Sequence, residues 1–183
     1  FSAADLAVLG DLGALAEDEF AAISAATTDE LTGLFNRRGF NQLVRFTLSV
    51  ARRRAEPLTL GWLDLDRFKE INDRYGHEEG DKALKVMAQL MRSAFREADM
   101  LVRFGGDEFA VLFADTDEQG AWIAMQYLAE QVESYNARKL HPWSLHFSWG
   151  LSEFDHNGND LQQWLKDADE KMYAMKQQRQ RAR

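Results

Sequence analysis

The chain has no cysteine among its 183 residues, which excludes a disulfide framework, a thiolate metal site and a cysteine nucleophile. That absence fits a cytoplasmic setting, where thiols stay reduced. Only two prolines occur, and Pro57 falls between two regular-looking stretches, so the chain carries few enforced breaks. No apolar run approaches the roughly 18 residues of a membrane span, and no signal peptide opens the chain. It begins at Phe1 rather than Met, as a fragment of a longer protein does. Basic charge is in deficit, since 22 Lys and Arg face 30 Asp and Glu for a formal net charge of -8. With no basic stripe to neutralise phosphates along a groove, general binding to nucleic acid or to an anionic membrane is disfavoured. One nucleotide chelated through a metal ion is not.

What is present suits one domain plus a short extension, because 45% apolar residues suffice for a real core. Residues 1–28 carry Leu6, Leu9, Gly13, Ala16, Phe20 and Ile23 at steps of three and four, with acids between them. They read as a helix with a narrow seam. It is either a dimeric signalling helix from an upstream sensor or the end of a preceding domain. The remainder, 29–183, reads as the catalytic domain. A helix is expected over 38–54, a buried strand over 58–65 ending in Asp64-Leu65-Asp66, and a short helix and loop in RFKEINDRYGHEEGD. Another helix follows over 82–96, then a hairpin, a helix over 117–140, a strand over 143–151 and a last helix over 160–178. His77 falls in a glycine-flanked loop and reads as structural. The string implies an α/β (α+β) fold, a mixed sheet of about five strands with surrounding helices.

The hairpin LVRFGGDEFAVLF, 101–113, organises the rest. Two apolar strands flank Gly105 and Gly106, where positive φ is allowed and no side chain separates backbone from ligand. Asp107 and Glu108 at its tip repel one another unless a cation or donor intervenes. Ordinary turn chemistry is the alternative. Asp64 at a strand end and Asp107 at a hairpin tip form a natural ligand pair for a hard cation such as magnesium, which keeps waters and takes substrate phosphates. Lys69 lies where a phosphate would sit. Asp81 can accept from the N–H edge of guanine while the Asn72 amide donates to its acceptors, a pattern that adenine lacks. Taken singly, each of these is also what a solvated loop or a helix cap looks like.

The segments DELTGLFNRRGF, DLDRFKEINDRYGHEEGD, RFGGDEF and ADEKMYAMK together make the chain resemble the GGDEF-domain diguanylate cyclases, from Asp29 to Lys176. The resemblance implies a palm-type cyclase core that joins two GTP into cyclic di-GMP with release of pyrophosphate. It implies two magnesium ions per site, or manganese in their place, on Asp64, Asp107 and the Leu65 carbonyl. Asn72 and Asp81 would read guanine, and the amides around Arg67 and Phe68, with Lys69, would hold the β- and γ-phosphates. Lys176 would reach the phosphates from the last helix, Gly105 and Gly106 would let the nucleotide lie close, and Glu108 would sit by the reacting groups. Since each domain holds one GTP, turnover requires a homodimer, and the N-terminal helix would set its geometry.

Arg96-Glu97-Ala98-Asp99 ends shortly before Gly105, and an RxxD at this offset is the family's product-binding inhibitory site; otherwise it is a surface ion pair. One departure stands out. The family continues from its lysine as Lys-x-x-Gly-Arg, whereas Lys176 is followed by Gln177, Gln178, Arg179 and Gln180, so Arg179 or Arg181 would have to supply the second cation. The alternative to an active cyclase is a catalytically silent domain that binds GTP or cyclic di-GMP and signals to a partner.

Overall fold

The computed structural model describes residues 25–156 and 160–181. At its centre is β2 (Leu58–Leu65), which has a strand on each edge and helices on each face, and is therefore apolar almost throughout. With it stand β1 (Phe35–Asn36), β3 (Met100–Gly105), β4 (Glu108–Ala114) and β5 (Phe147–Glu153), in the order β1-β3-β4-β2-β5. β1 runs parallel to β3, and the other neighbours are antiparallel. This is the mixed five-stranded, palm-like α/β sheet expected.

Side chains alternate across it. Phe109, Val111 and Phe113 of β4 join Leu63 and Leu65 beneath α3 (His77–Ala94) and α4 (Glu118–Ala137). Ala110 and Leu112 join Leu58 and Leu60 beneath α1 (Arg37–Arg54) and α5 (Leu161–Arg181). Slipping β4 by one residue would take three large side chains off their core, each worth roughly 1.5–3 kcal/mol of burial. The register is therefore fixed, and with it the pairing of Asp64 with Glu108 across the β2–β4 ladder. Local chemistry sets the helix ends. Asn36 accepts from the Gly39 amide at 2.9 Å to start α1, and Ala55 closes it in the left-handed region (φ 53°) just before Pro57.

Several expectations need correction. Of the segment 1–28, the described part holds a helical turn at 25–27, and the rest of that expected helix lies outside the described residues. β1 is two residues long, too short to leave a pattern. The stretch read as helix and loop is two helices, α2 (Phe68–Tyr75) and α3, joined at Gly76. His77 is therefore a helix residue rather than a loop residue. Gly80, taken as a loop signal, instead lets α3 sit against α2, because a Cβ there would collide with Asn72 Oδ1. β5 begins at Phe147 rather than 143, since the Asn136 side chain already binds the Leu145 amide (2.9 Å) and carbonyl (2.7 Å). Gly150 does for β5 what Gly80 does for α3: a Cβ would strike the α5 backbone at Ala168 and Met172, so α5 packs close enough to carry Lys176 to the sheet edge.

Candidate active site

The expected two-glycine turn is shifted by one residue: Gly105 (φ 141°) ends β3 paired with Glu108, and Gly106 (φ 55°) with Asp107 makes the connection to β4, the glycines in conformations that other residues adopt only under strain. An added Cβ at either would meet nothing within 4 Å. The glycines therefore serve the backbone turn and leave an open surface above it.

On one side of this turn the acids converge. Asp64, 9% exposed, ends β2 opposite Glu108, and the Leu65 amide donates to the Asp107 carbonyl at 3.1 Å. Burial pushes the Asp64 carboxyl above its ordinary range, Lys176 opposes this, and the charge of Asp107 adds to it. Burial also raises Glu108, reinforced by Asp64 and Asp107. Lys176 reaches from α5 to Asp64 Oδ1 at 2.5 Å. Burial alone would lower that ammonium, but the bond to Asp64 and the surrounding acids raise it overall. One cation thus leaves the acid cluster short of positive charge. Among the described residues no three acid or histidine side chains close around a single point. The chemistry of the donors nonetheless fits magnesium: the Asp64 and Asp107 carboxylates and the Leu65 carbonyl are hard oxygens, too few to fill a shell and so leaving room for water and phosphate. The Lys176 ammonium on Asp64 shows where positive charge is taken up.

Beyond β2 the chain turns through Arg67 in the left-handed region (φ 58°) into α2, whose start has no side-chain cap. Its first amides, at Arg67, Phe68 and exposed Lys69, form a helix N-terminus suited to phosphate. Asn72 lies on α2 against Gly80, one residue from exposed Asp81 on α3. Arg179, one turn past Lys176, binds the Phe147 carbonyl and lies 3.5 Å from Asp66 Oδ2, so it does return toward the site. Asp66 itself accepts from Ser148 Oγ at 2.8 Å.

The other side of the turn holds residues that sequence reasoning missed. Arg103 donates from Nε (3.1 Å) and Nη2 (2.8 Å) to the Gly106 carbonyl, and from Nη1 to both Asp29 oxygens at 3.1 and 3.0 Å. Burial would raise Asp29, but the bonds from Thr32 and Arg103 outweigh it and hold the carboxyl below its ordinary range. The only sequence signal was a charge two residues before each motif's glycine or leucine, with nothing to pair positions 74 apart.

Residues 26–182 match the family model described as "Diguanylate cyclase, GGDEF domain". The chain belongs to the GGDEF diguanylate cyclase family. It is similar to the cyclic di-GMP phosphodiesterase NbdA of Pseudomonas aeruginosa, 38% identical over 78% of this chain and 18% of that protein. The probable diguanylate cyclase DgcC of Escherichia coli is 33% identical over 82% of this chain and 41% of that protein. The chain therefore spans less than half the length of either relative. Among solved structures, the coiled coil and GGDEF domain of DgcB from Caulobacter crescentus, crystallised with c-di-GMP, superposes with a TM-score of 0.84 at 26% identity, covering 95% of this chain and 93% of that one.

The GGDEF sheet also shows where the RxxD residues lie. Arg96 and Asp99 form a tight turn after α3, the Arg96 amide donating to Asp99 Oδ2 at 2.9 Å and the Asp99 amide to the Arg96 carbonyl at 3.0 Å. Burial raises the Asp99 carboxyl, with the Arg96 amide opposing. Arg96 is exposed. The turn lies at the opposite end of β3 from the glycines. No helix among the described residues is long and apolar enough to cross a membrane.

Proposed function

We propose that this GGDEF domain condenses two GTP into cyclic di-GMP and pyrophosphate across a homodimer, with magnesium bound at Asp64 and Asp107. The observation that carries this reading is the cluster of Asp64, Asp107 and Glu108, with raised carboxyls at Asp64 and Glu108, directly beside an open glycine turn. When bound, magnesium supplies charge neutralisation for the triphosphate and the leaving pyrophosphate. The protein's own groups position the substrate. The α2 amides and Lys69 hold the β- and γ-phosphates, Asn72 and Asp81 hold guanine, and Gly105 and Gly106 give the nucleotide room. Lys176, bonded to Asp64 before GTP arrives, turns its ammonium from that carboxylate to the phosphates when the nucleotide and metal bind. Each domain presents one nucleotide on an open surface, so the 3′-hydroxyl of one GTP meets the α-phosphorus of the other only between two copies, and catalysis is largely positioning. Arg96 and Asp99 would take the product and restrain turnover.

The test is product analysis after incubation with GTP and Mg²⁺ over a range of protein concentrations. Cyclic di-GMP formed at a rate rising faster than linearly in protein is expected. Nucleotide binding without product, even with dimerisation forced, would establish the silent binding domain instead. Arg96→Ala should relieve inhibition by added cyclic di-GMP.

A further inference from the structure

Between α4 and β5 the chain runs as a strap over 138–146, and it is bonded to the nucleotide site at two places. Trp143, 7% exposed, donates its indole N–H to Glu79 Oε2 at 2.7 Å. His141 stacks on the Trp143 ring, centroids 4.3 Å apart and planes 9° apart, with its Nδ1 3.6 Å from the same Glu79 oxygen. Lys82 holds the other Glu79 oxygen at 2.6 Å. At the far end of the strap the His146 carbonyl accepts from the Asp66 amide at 2.8 Å, while Asn136 grips Leu145 through both backbone groups.

These two attachment points are close to the proposed base and phosphate contacts. Glu79 precedes Gly80, on which Asn72 rests, and Asp81 follows; Asp66 precedes Arg67 at the start of α2. Along its length α2 is poorly braced from the strap side, since a cleft of about 260 Å³ separates Arg67, Ile71 and Arg74 from Pro142, Trp143 and His146. Gly76, at φ 88°, turns the chain from α2 into α3, its amide donating to the Asn72 carbonyl at 2.9 Å and its carbonyl accepting from the Gly80 amide at 3.2 Å, so α2 and α3 are held to each other at the base-reading end. The Trp143–Glu79 bond therefore spans the cleft, tying the start of α3 to the strap that also holds Asp66. Its carboxylate acceptor makes it stronger than a neutral hydrogen bond, and packing holds the indole in place.

We infer that Trp143, acting through Glu79, is a positioning residue that sets the spacing between the base-reading pair Asn72 and Asp81 and the phosphate-binding turn, and so governs GTP affinity rather than the chemical step. This rests on the nucleotide contacts proposed above. Trp143 touches no reacting atom.

The experiment measures binding of a non-hydrolysable GTP analogue to the whole chain by calorimetry with Mg²⁺, beside KM and kcat for GTP. Trp143→Phe weakens the analogue by roughly five- to tenfold, less than the full worth of a charge-assisted bond because only part of the lost tether reaches the ligand. KM rises in parallel and kcat stays within about twofold, the signature of lost uniform binding. Glu79→Ala, which removes the acceptor and leaves the indole in place, gives the same loss, with folding checked by an unchanged thermal midpoint, and the double variant is no worse than either single one. Glu79→Gln, which keeps an acceptor oxygen, recovers most of the affinity, and Glu78→Ala in the same turn changes nothing. Wild-type affinity in both Trp143→Phe and Glu79→Ala overturns the inference, as does a loss confined to kcat. Absence of analogue binding by the wild type would overturn the nucleotide-site reading itself, whereas binding without product overturns the cyclase reading and leaves the strap's role standing.

Discussion

The Gly105–Gly106 turn has a charge cluster on each side, and the two are built in opposite ways. On one side Asp29 meets Arg103, which also grips the Gly106 carbonyl, so charge is matched and every donor is aimed. On the other, Asp64, Asp107 and Glu108 share one ammonium, that of Lys176. The matched cluster stabilises the turn and lowers the Asp29 carboxyl; the unmatched one opposes folding and raises the carboxyls of Asp64 and Glu108. On the function proposed above, a site that takes up a metal ion is short of positive charge beforehand, and the neighbouring clamp offsets the resulting repulsion.

Breaking each side separately sharpens this contrast. Asp107→Ala should reduce cyclic di-GMP synthesis by at least about a hundredfold, comparable to removing a principal electrostatic contact in other active sites. Its thermal midpoint should hold or rise, because a repulsive charge is gone. Arg103→Ala should do the reverse in kind. Leaving Asp29 partly buried without its partner costs about 2 kcal/mol, below the range for a fully buried pair because Asp29 and Arg103 keep side-chain exposures of 22% and 12%. Denaturant midpoints at constant slope would register it. Equal stability losses in the two variants would remove the distinction between the clusters.

The unmatched cluster was legible in the sequence and the matched one was not, for a physical reason. Asp64, Asp107 and Glu108 sit at the ends of strong apolar runs, where a charge needs explaining, and a β-ladder with fixed register brings such ends together. Asp29 lies in a polar stretch and Arg103 interrupts an apolar strand, and neither has a neighbour in sequence that points to the other. Their meeting depends on β1, two residues long, lying parallel to β3, and nothing in a two-residue strand announces itself. The helix start at His77 was hidden likewise, because Gly80 signals a loop unless Asn72 is known to need its space. Trp143 looked like the first residue of a strand until Asn136 was seen holding Leu145.

Acid titration separates the clusters by sign. Asp29 has a folded pKa below its ordinary value of 3.8, so its contribution is complete above that value and is lost as pH falls through the lower folded one. The stability difference between wild type and Asp29→Asn should therefore be present at neutral pH and close only in strong acid. Glu108 has a folded pKa above its ordinary 4.5, so its penalty is present at neutral pH and disappears as pH falls through the raised value. Glu108→Gln should then stabilise the chain at pH 7, with the gain shrinking on acidification and gone below about 4.5. Parallel pH profiles for the two variants would contradict the opposite construction of the clusters.

The smallest effect concerns the position where the chain departs from its family. Arg179 is half exposed and 3.5 Å from Asp66, a separation at which an ion pair contributes at most a few tenths of a kcal/mol, so Arg179→Gln should leave the denaturation midpoint unchanged. Its bond to the Phe147 carbonyl nevertheless holds a second cation on the Lys176 side of the site. If that cation substitutes for the missing family arginine, Arg179→Gln should raise KM for GTP by about two- to threefold, the scale of a solvent-screened phosphate contact. Arg181→Gln, at the exposed end of α5, should raise it less. An unchanged KM for Arg179→Gln would mean that Lys176 alone supplies the positive charge to the crowded side of the turn, making the contrast with the matched side sharper still.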